Sequence, residues 1–262
     1  MPKPKRLILN LMSAADGQAL AARNAIGACR LFGVSENNVR VSLARLATEG
    51  LIVSHSRGTY QLTDKALKVV GELRRWRGIT ERVTAWQGAW FAVHCGGLGR
   101  SDRSLLRQRE RALGMSGFRP FERDLYLRPA NLAGGVDAVR ERLYRLGLDT
   151  SAPVFVVSGL DDERDQQARG LWRAMKLEAG YRRAIDEMEG WLAKAADLEL
   201  EDAARESFVI GDAAIRQAVF DPLLPEALVD MALRQTFFDA LLRFDREGHR
   251  IWQALYEGAK KP

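Results

Sequence analysis

The stretch from Phe32 to Tyr60, FGVSENNVRVSLARLATEGLIVSHSRGTY, constrains this chain more than any other. Gly33 permits a tight turn, because glycine takes positive φ at no steric cost. Ser35 is an N-cap, and Glu36 puts negative charge at the positive end of the helix dipole. Val39, Leu43 and Leu46 then recur at helical spacing as one buried stripe, and Gly50 ends the helix in the left-handed C′ position. The pattern predicts a helix over residues 36–49. Leu51-Ile52-Val53 and Thr59-Tyr60-Gln61-Leu62 read as short strands joined by the polar loop Ser54-His55-Ser56-Arg57-Gly58. The whole is a turn, a reading helix and a two-stranded wing.

With the apolar stripe turned inward, Asn37, Asn38, Arg40, Val41, Ser42 and Arg45 form the outer face of that helix. Asn and Arg make bidentate contacts to adenine and guanine edges in the major groove. An ordinary solvated face carries the same residue types, and it is the flanking turn and wing that turn the reading toward double-stranded DNA. Arg57 at the wing tip is a candidate groove or phosphate contact. Lys3, Lys5 and Arg6 ahead of the first helix are candidate phosphate contacts, which position a protein without specifying sequence.

Charge points the same way. Residues 1–70 and 71–130 each carry a net +6, and residues 131–262 carry −6. A basic first half attracts a polyanion and an acidic remainder repels one. No apolar run approaches the roughly 20 residues of a membrane span. The basic-then-apolar start is interrupted by Asn10 and continues into the first helix, so it reads as helix and the protein as cytoplasmic.

In order, residues 4–14 form helix 1, Asp16-Gly17 turn the chain, and residues 18–31 form helix 2. Thr63 caps a further helix with Leu67, Val70 and Leu73 inside, and Arg74 to Arg77 lead into a linker. Then come the strand Trp90–Cys95, a helix over 101–113 with Leu105, Leu106 and Leu113 inside, strands at 118–122 and 125–128, a helix at 136–146 and a strand at 153–158. The order β-α-β-β-α-β is that of a ferredoxin-like sheet with helices on one face. From Asp161 the pattern is helical, with Trp172, Met175 and Ala179 on one stripe. The corner Asp221-Pro222-Leu223-Leu224-Pro225 precedes two last helices, over 226–242 and 246–256. The fold class is α+β, in three domains: a winged helix-turn-helix at 1–75, a ferredoxin-like domain at 86–160 and an all-helical domain at 161–262.

The glycine-rich turn Cys95 to Ser101 carries Gly97, Gly99 and Arg100, with Arg103 and Arg107 following. Such a turn at a helix N-terminus can cradle a phosphate, and so a coenzyme A, although it fits no nucleotide fingerprint and also suits a plain strand-to-helix connection. The three histidines sit in separate segments without ligand spacing, so no metal and no cofactor is expected. No nucleophile elbow is present and no catalytic residue is assigned. Cys29 and Cys95 read as small core residues rather than a disulfide. Trp172, Tyr181, Trp191, Trp252 and Tyr256 could line an aryl pocket, or serve packing or dimer contact.

Taken together, the LFGVSENNVRVSLARLATEGLI segment, Arg57 to Thr63, the Trp86-Gln87-Gly88-Ala89-Trp90 stretch, Leu125 to Leu132 with Gly134-Gly135, and the Asp221–Pro225 corner resemble the PaaX family of bacterial transcriptional regulators. The resemblance implies a homodimer on a palindromic operator that represses aromatic catabolism genes. In the best-known branch the inducer is phenylacetyl-coenzyme A. The chain departs from many members after the corner, where it reads EALVDMALRQTFF and lacks a Trp-Pro-Gly stretch. The resulting expectation is a non-enzymatic repressor released by an acyl-coenzyme A thioester. A metal-dependent nuclease built on the ferredoxin-like domain, or an architectural DNA binder without a ligand, are the alternatives.

Overall fold

The computed structural model describes residues 3–14, 19–67 and 75–258. The expected turn at Asp16-Gly17, and Val70, Leu73 and Arg74 of the helix after Thr63, lie outside these residues. Helices dominate, with two small antiparallel sheets. The chain divides into two compact units. One comprises Met1–Arg77, Asp186–Ile215 and Ala240–Pro262, and the other Gly78–Ile185 and Arg216–Asp239. Residues of the C-terminal helical segment contribute to both.

The first unit opens with α1 (Pro4–Ala14), β1 (Leu20–Ala21), α2 (Ala22–Arg30), α3 (Glu36–Thr48), β2 (Ile52–Ser56) and β3 (Thr59–Leu62). β1 takes residues expected at the start of helix 2. Leu20 and Ala21 pair with Tyr60 and Thr59, so the sheet runs β1-β3-β2 and a backbone edge of β3 gains partners. The Thr63 cap is present: its hydroxyl accepts from Ala66 N at 3.3 Å. The core joins Leu7, Ile8, Leu11 and Met12 of α1 to Ile26 and Cys29 of α2, and to Val39, Leu43 and Leu46 of α3. Both cysteines are buried and free, and burial pushes the Cys29 thiol up to about 11.

Later helices complete this core. They belong to α7 (Ala174–Lys194), α8 (Leu200–Val219) and α9 (Met231–Gly258). Phe208 meets Phe32 edge-on at 5.2 Å, and Trp252 packs against the same cluster. Trp191 tilts onto Phe244 at 4.7 Å. α9 is one helix where two were expected. Gly248 lies inside it, where a Cβ would meet the Ser207 Cβ at 3.6 Å, an ordinary contact.

The second unit holds β4 (Trp90–His94), α4 (Arg103–Met115), β5 (Arg119–Glu122), β6 (Leu125–Pro129), α5 (Gly135–Arg145), β7 (Val154–Val157) and α6 (Asp162–Arg169). All pairings are antiparallel and the sheet order is β5-β6-β4-β7. Phe91, Val93 and Val154 pack with Leu113, Val139 and Leu143 of the helices. Two expected core residues are outside. Leu105 is 57% exposed, because α4 is buried only in its C-terminal half, at Ala112, Leu113 and Met115. Met175 is 85% exposed, because Arg173 at φ 47° breaks the chain between Trp172 and α7. The two residues therefore do not share a stripe. Trp172 instead stacks on Trp90 at 5.9 Å.

The Asp221–Pro225 corner is buried throughout. Asp221 accepts from Leu223 N at 2.7 Å and from the Tyr181 hydroxyl at 2.5 Å, and burial pushes its carboxyl above the usual range. Arg128, also buried, donates to Ser116 O at 2.7 Å, Asn131 Oδ1 at 2.9 Å and Pro222 O at 3.3 Å. Burial draws its pKa down to about 9, which still leaves a cation at neutral pH. Asn131 donates to Leu223 O at 2.7 Å, and Arg234 to Leu224 O at 2.5 Å. Arg128→Lys removes the fork that serves these acceptors while keeping the charge. It is expected to lower unfolding free energy by about 2–4 kcal/mol, read as a lower urea midpoint at unchanged slope.

Gly117 lies against this corner. It has φ +78°, and a Cβ there would lie 3.0 Å from the Pro222 Cα and carbonyl oxygen. Gly58 has a similar φ of +75° but open space around it. Gly117→Ala is therefore expected to destabilise by about 2 kcal/mol or more, and Gly58→Ala by about 1 kcal/mol, in the same denaturation measurement.

Candidate nucleic-acid interface

α3 is built from its cap inward. Ser35 Oγ accepts from Asn38 N at 3.4 Å, and the backbone turns helical at Glu36. Val39, Leu43 and Leu46 are buried at 0, 3 and 0% exposure, which fixes the rotation of the helix. Asn37, Asn38, Arg40, Val41 and Arg45 are consequently exposed together. Ser42 is half-buried and its hydroxyl donates to Asn38 O at 2.7 Å, so that group serves its own helix. Arg40 donates to Glu36 Oε1 through Nε at 2.9 Å and Nη2 at 2.6 Å. The pair is solvent-exposed on both sides, and such pairs contribute about 0–1 kcal/mol, so a stronger anion can displace it. Arg45 forms no ion pair with any described residue.

The far end of α3 is held by cations. Lys65 donates to Glu49 O at 2.8 Å, and Lys5 pairs with the Glu49 carboxylate. Positive charge at a helix C-terminus complements its dipole. The hairpin beyond is closed by Ser56 N donating to Thr59 Oγ1 at 3.0 Å, with a register shift around His55. Arg57 and Gly58 form its exposed tip.

Lys5 and Arg6, expected to precede helix 1, sit inside α1. Lys5 pairs with Glu49, and Arg6 clasps Asp212 at 2.5 and 2.6 Å, so both already have carboxylate partners. A groove of about 780 Å³ opens beside the turn that precedes α3, lined by Leu31, Phe32 and Gly33 with Phe208, Ile210 and Asp212 of α8.

The glycine turn does not assemble the expected phosphate cradle. Gly97, Gly99 and Arg100 are exposed, but Asp124 holds the Arg100 guanidinium and Arg109 donates to Gly99 O at 2.9 Å. α4 starts only at Arg103, and its leading N–H groups are capped by Asp102, whose Oδ1 accepts from Ser104 N at 2.7 Å and Leu105 N at 3.2 Å. A carboxylate occupies the place where an anion would bind. Arg103 and Arg107 are exposed on the helix itself. Of the aromatic residues that could line an aryl pocket, Trp172 and Tyr181 belong to the second unit, and Trp191, Trp252 and Tyr256 to the first. Among the described residues no group of three or more His, Cys, Asp or Glu is placed to hold a metal ion, and no helix is long and apolar enough to cross a membrane.

Comparison with known proteins assigns the chain a place. Residues 5–66 match the family described as PaaX-like protein, and residues 172–254 match the PaaX-like protein C-terminal domain. The two matches cover more than half of the sequence, and the chain belongs to the PaaX-like family. No curated protein matches it. The solved structure of the uncharacterized protein Rv0674 from Mycobacterium tuberculosis is similar with a TM-score of 0.57 and 21% identity, covering 94% of this chain and 98% of that one. At that identity the likeness concerns the fold.

Removing the cap of α3 should be felt. Ser35→Ala is expected to lower thermal stability by about 1 kcal/mol, a drop of a few degrees in the calorimetric midpoint.

Proposed function

We propose that this protein is a homodimeric, sequence-specific DNA-binding transcriptional regulator. α2, the turn at residues 31–35 and α3 act as a helix-turn-helix, and β2 and β3 as its wing. The segment β4-α4-β5-β6-α5-β7, with strands in the order second-third-first-fourth and helices packed on the sheet, supports a ferredoxin-like middle part. The observation that carries the reading is the outer face of α3, where Asn37, Asn38, Arg40, Val41 and Arg45 are exposed together.

The mechanism follows from that face. α3 enters the major groove, where Asn and Arg side chains read adenine and guanine edges. The Glu36–Arg40 pair opens as Arg40 turns to the DNA, and Val41 offers an apolar contact to thymine methyls. Arg57 at the wing tip approaches the flanking backbone. A dimer places two such helices on half-sites about one helical turn or a multiple apart. Membership in the PaaX-like family supports a regulator of phenylacetic acid or related aromatic catabolism, working in the cytoplasm without catalysis of its own. An acyl-coenzyme A effector comes from the family alone. Release by such an effector requires that it bind one arrangement of the dimer better than the other. A nuclease has less support, since the acids nearest the end of β4 are engaged: Asp124 by Arg100 and Asp102 by backbone N–H groups.

In a mobility-shift titration against the operator, Arg45→Ala should weaken specific binding by about 10- to 100-fold while leaving non-specific binding nearly unchanged. Arg57→Ala should weaken both and make the slope of log K against log salt shallower by about 0.9. Full specific binding by both variants would overturn this assignment of the reading face.

A further inference from the structure

The middle of the chain carries cations that the reading helix does not explain. α4, with sequence RSLLRQRERALGM, places Arg103, Arg107 and Arg111 at i, i+4 and i+8. All three are exposed, and none forms an ion pair or hydrogen bond with a described residue. The one acid of the helix, Glu110, pairs with none of them. Arg109 lies on another side, where it is half-buried and bonds to Gly99 O. Leu105, 57% exposed, falls on the opposite side of the helix from the three arginines.

Several other helices pair their arginines internally. Arg40, Arg140, Arg169 and Arg250 each have a carboxylate partner three or four residues away on their own helix. Like charges at i and i+4 destabilise a helix by a few tenths of a kcal/mol, and nothing within the stripe relieves it. The successive guanidinium groups stand about 6 Å apart along the axis and drift only about 40° per step, so they face one way. A duplex presents one phosphate charge per about 1.7 Å of its axis, dense enough to give each arginine a partner.

We propose that this stripe of α4 is a second DNA-contacting surface, which binds the phosphodiester backbone of duplex DNA irrespective of sequence. The proposal rests on the reading of the protein as a DNA-binding regulator. It assigns to the second unit a share of affinity and none of specificity. Because guanidinium–phosphate contacts release condensed counterions, the share is visible in the salt dependence.

The test compares the full-length protein with R103Q/R107Q/R111Q, with the matching triple lysine variant and with Arg250→Gln as a paired-arginine control. Affinity is measured for an operator duplex and a random duplex between 50 and 200 mM salt. The glutamine variant should make the slope of log K against log salt shallower by about 2.7 on both duplexes, with the specific-to-random ratio unchanged. The lysine variant and the control should keep the wild-type slope. A wild-type slope in the glutamine variant, or loss of slope in the lysine variant as well, overturns the proposal. If Arg45→Ala meanwhile loses operator preference, the reading of α3 stands and only the stripe falls; absence of any duplex binding by the wild type removes both. Loss of binding to phosphatidylserine vesicles with an unchanged DNA slope would assign the stripe to a membrane and overturn it too.

Discussion

The second unit depends on one buried cation. Arg128 leaves the middle of a sheet and ends among carbonyl oxygens from residues 116 and 222 and the amide of Asn131. Taking a guanidinium out of water costs several kcal/mol unless its donors find acceptors, and these donors find them on three different stretches of chain. Asp221 and Arg234 extend the arrangement, each bonded to backbone of the same corner. The Asp221–Pro225 segment has no regular hydrogen-bond ladder of its own, so these side chains hold it. A polar network of this kind fixes one geometry, since any displacement strands a buried charge. That explains why Leu223 can occupy φ +51°, a conformation an apolar residue adopts only when its surroundings impose it.

Much of this was readable from the residues. The α3 segment announced itself because cap, stripe and stop agree, and the succession of strands and helices in the middle segment followed from short apolar runs between helical stripes. The sequence misled where local pattern met a tertiary alternative. Leu20 and Ala21 fit a helix, yet an open strand edge recruited them. Residues 243–245 stood between two expected helices, yet α9 runs through them unbroken. Leu105 matched the apolar period, but α4 is buried only in its C-terminal half, at Ala112, Leu113 and Met115. At the site, the exposed set on α3 followed from the stripe. The Glu36–Arg40 pair, the hold of Lys65 on the helix end and the partners of Arg6 depend on side-chain conformations that spacing alone leaves open.

The electrostatics of α3 leave cations available. Arg40 is neutralised by a weak, wet pair with Glu36, and Arg45 has no ion-pair partner among the described residues. The cations at α1, by contrast, are used to hold the unit together. The fold thus separates structural from available positive charge within one unit, which net charge by segment does not reveal.

The first unit is discontinuous in sequence, assembled from residues before 78, from 186 to 215 and from 240 onward. Phe208 and Trp252, which cover the turn and core beside α3, are among the later arrivals. At a synthesis rate of about 5–20 residues per second, the stretch bearing the reading helix waits roughly 10–40 s for the segments that complete it. During that interval Phe32 and its neighbours lack the cover of Phe208 and Trp252. On the proposed function, a nascent chain acquires its DNA-reading surface only once the segment bearing Trp252 has emerged.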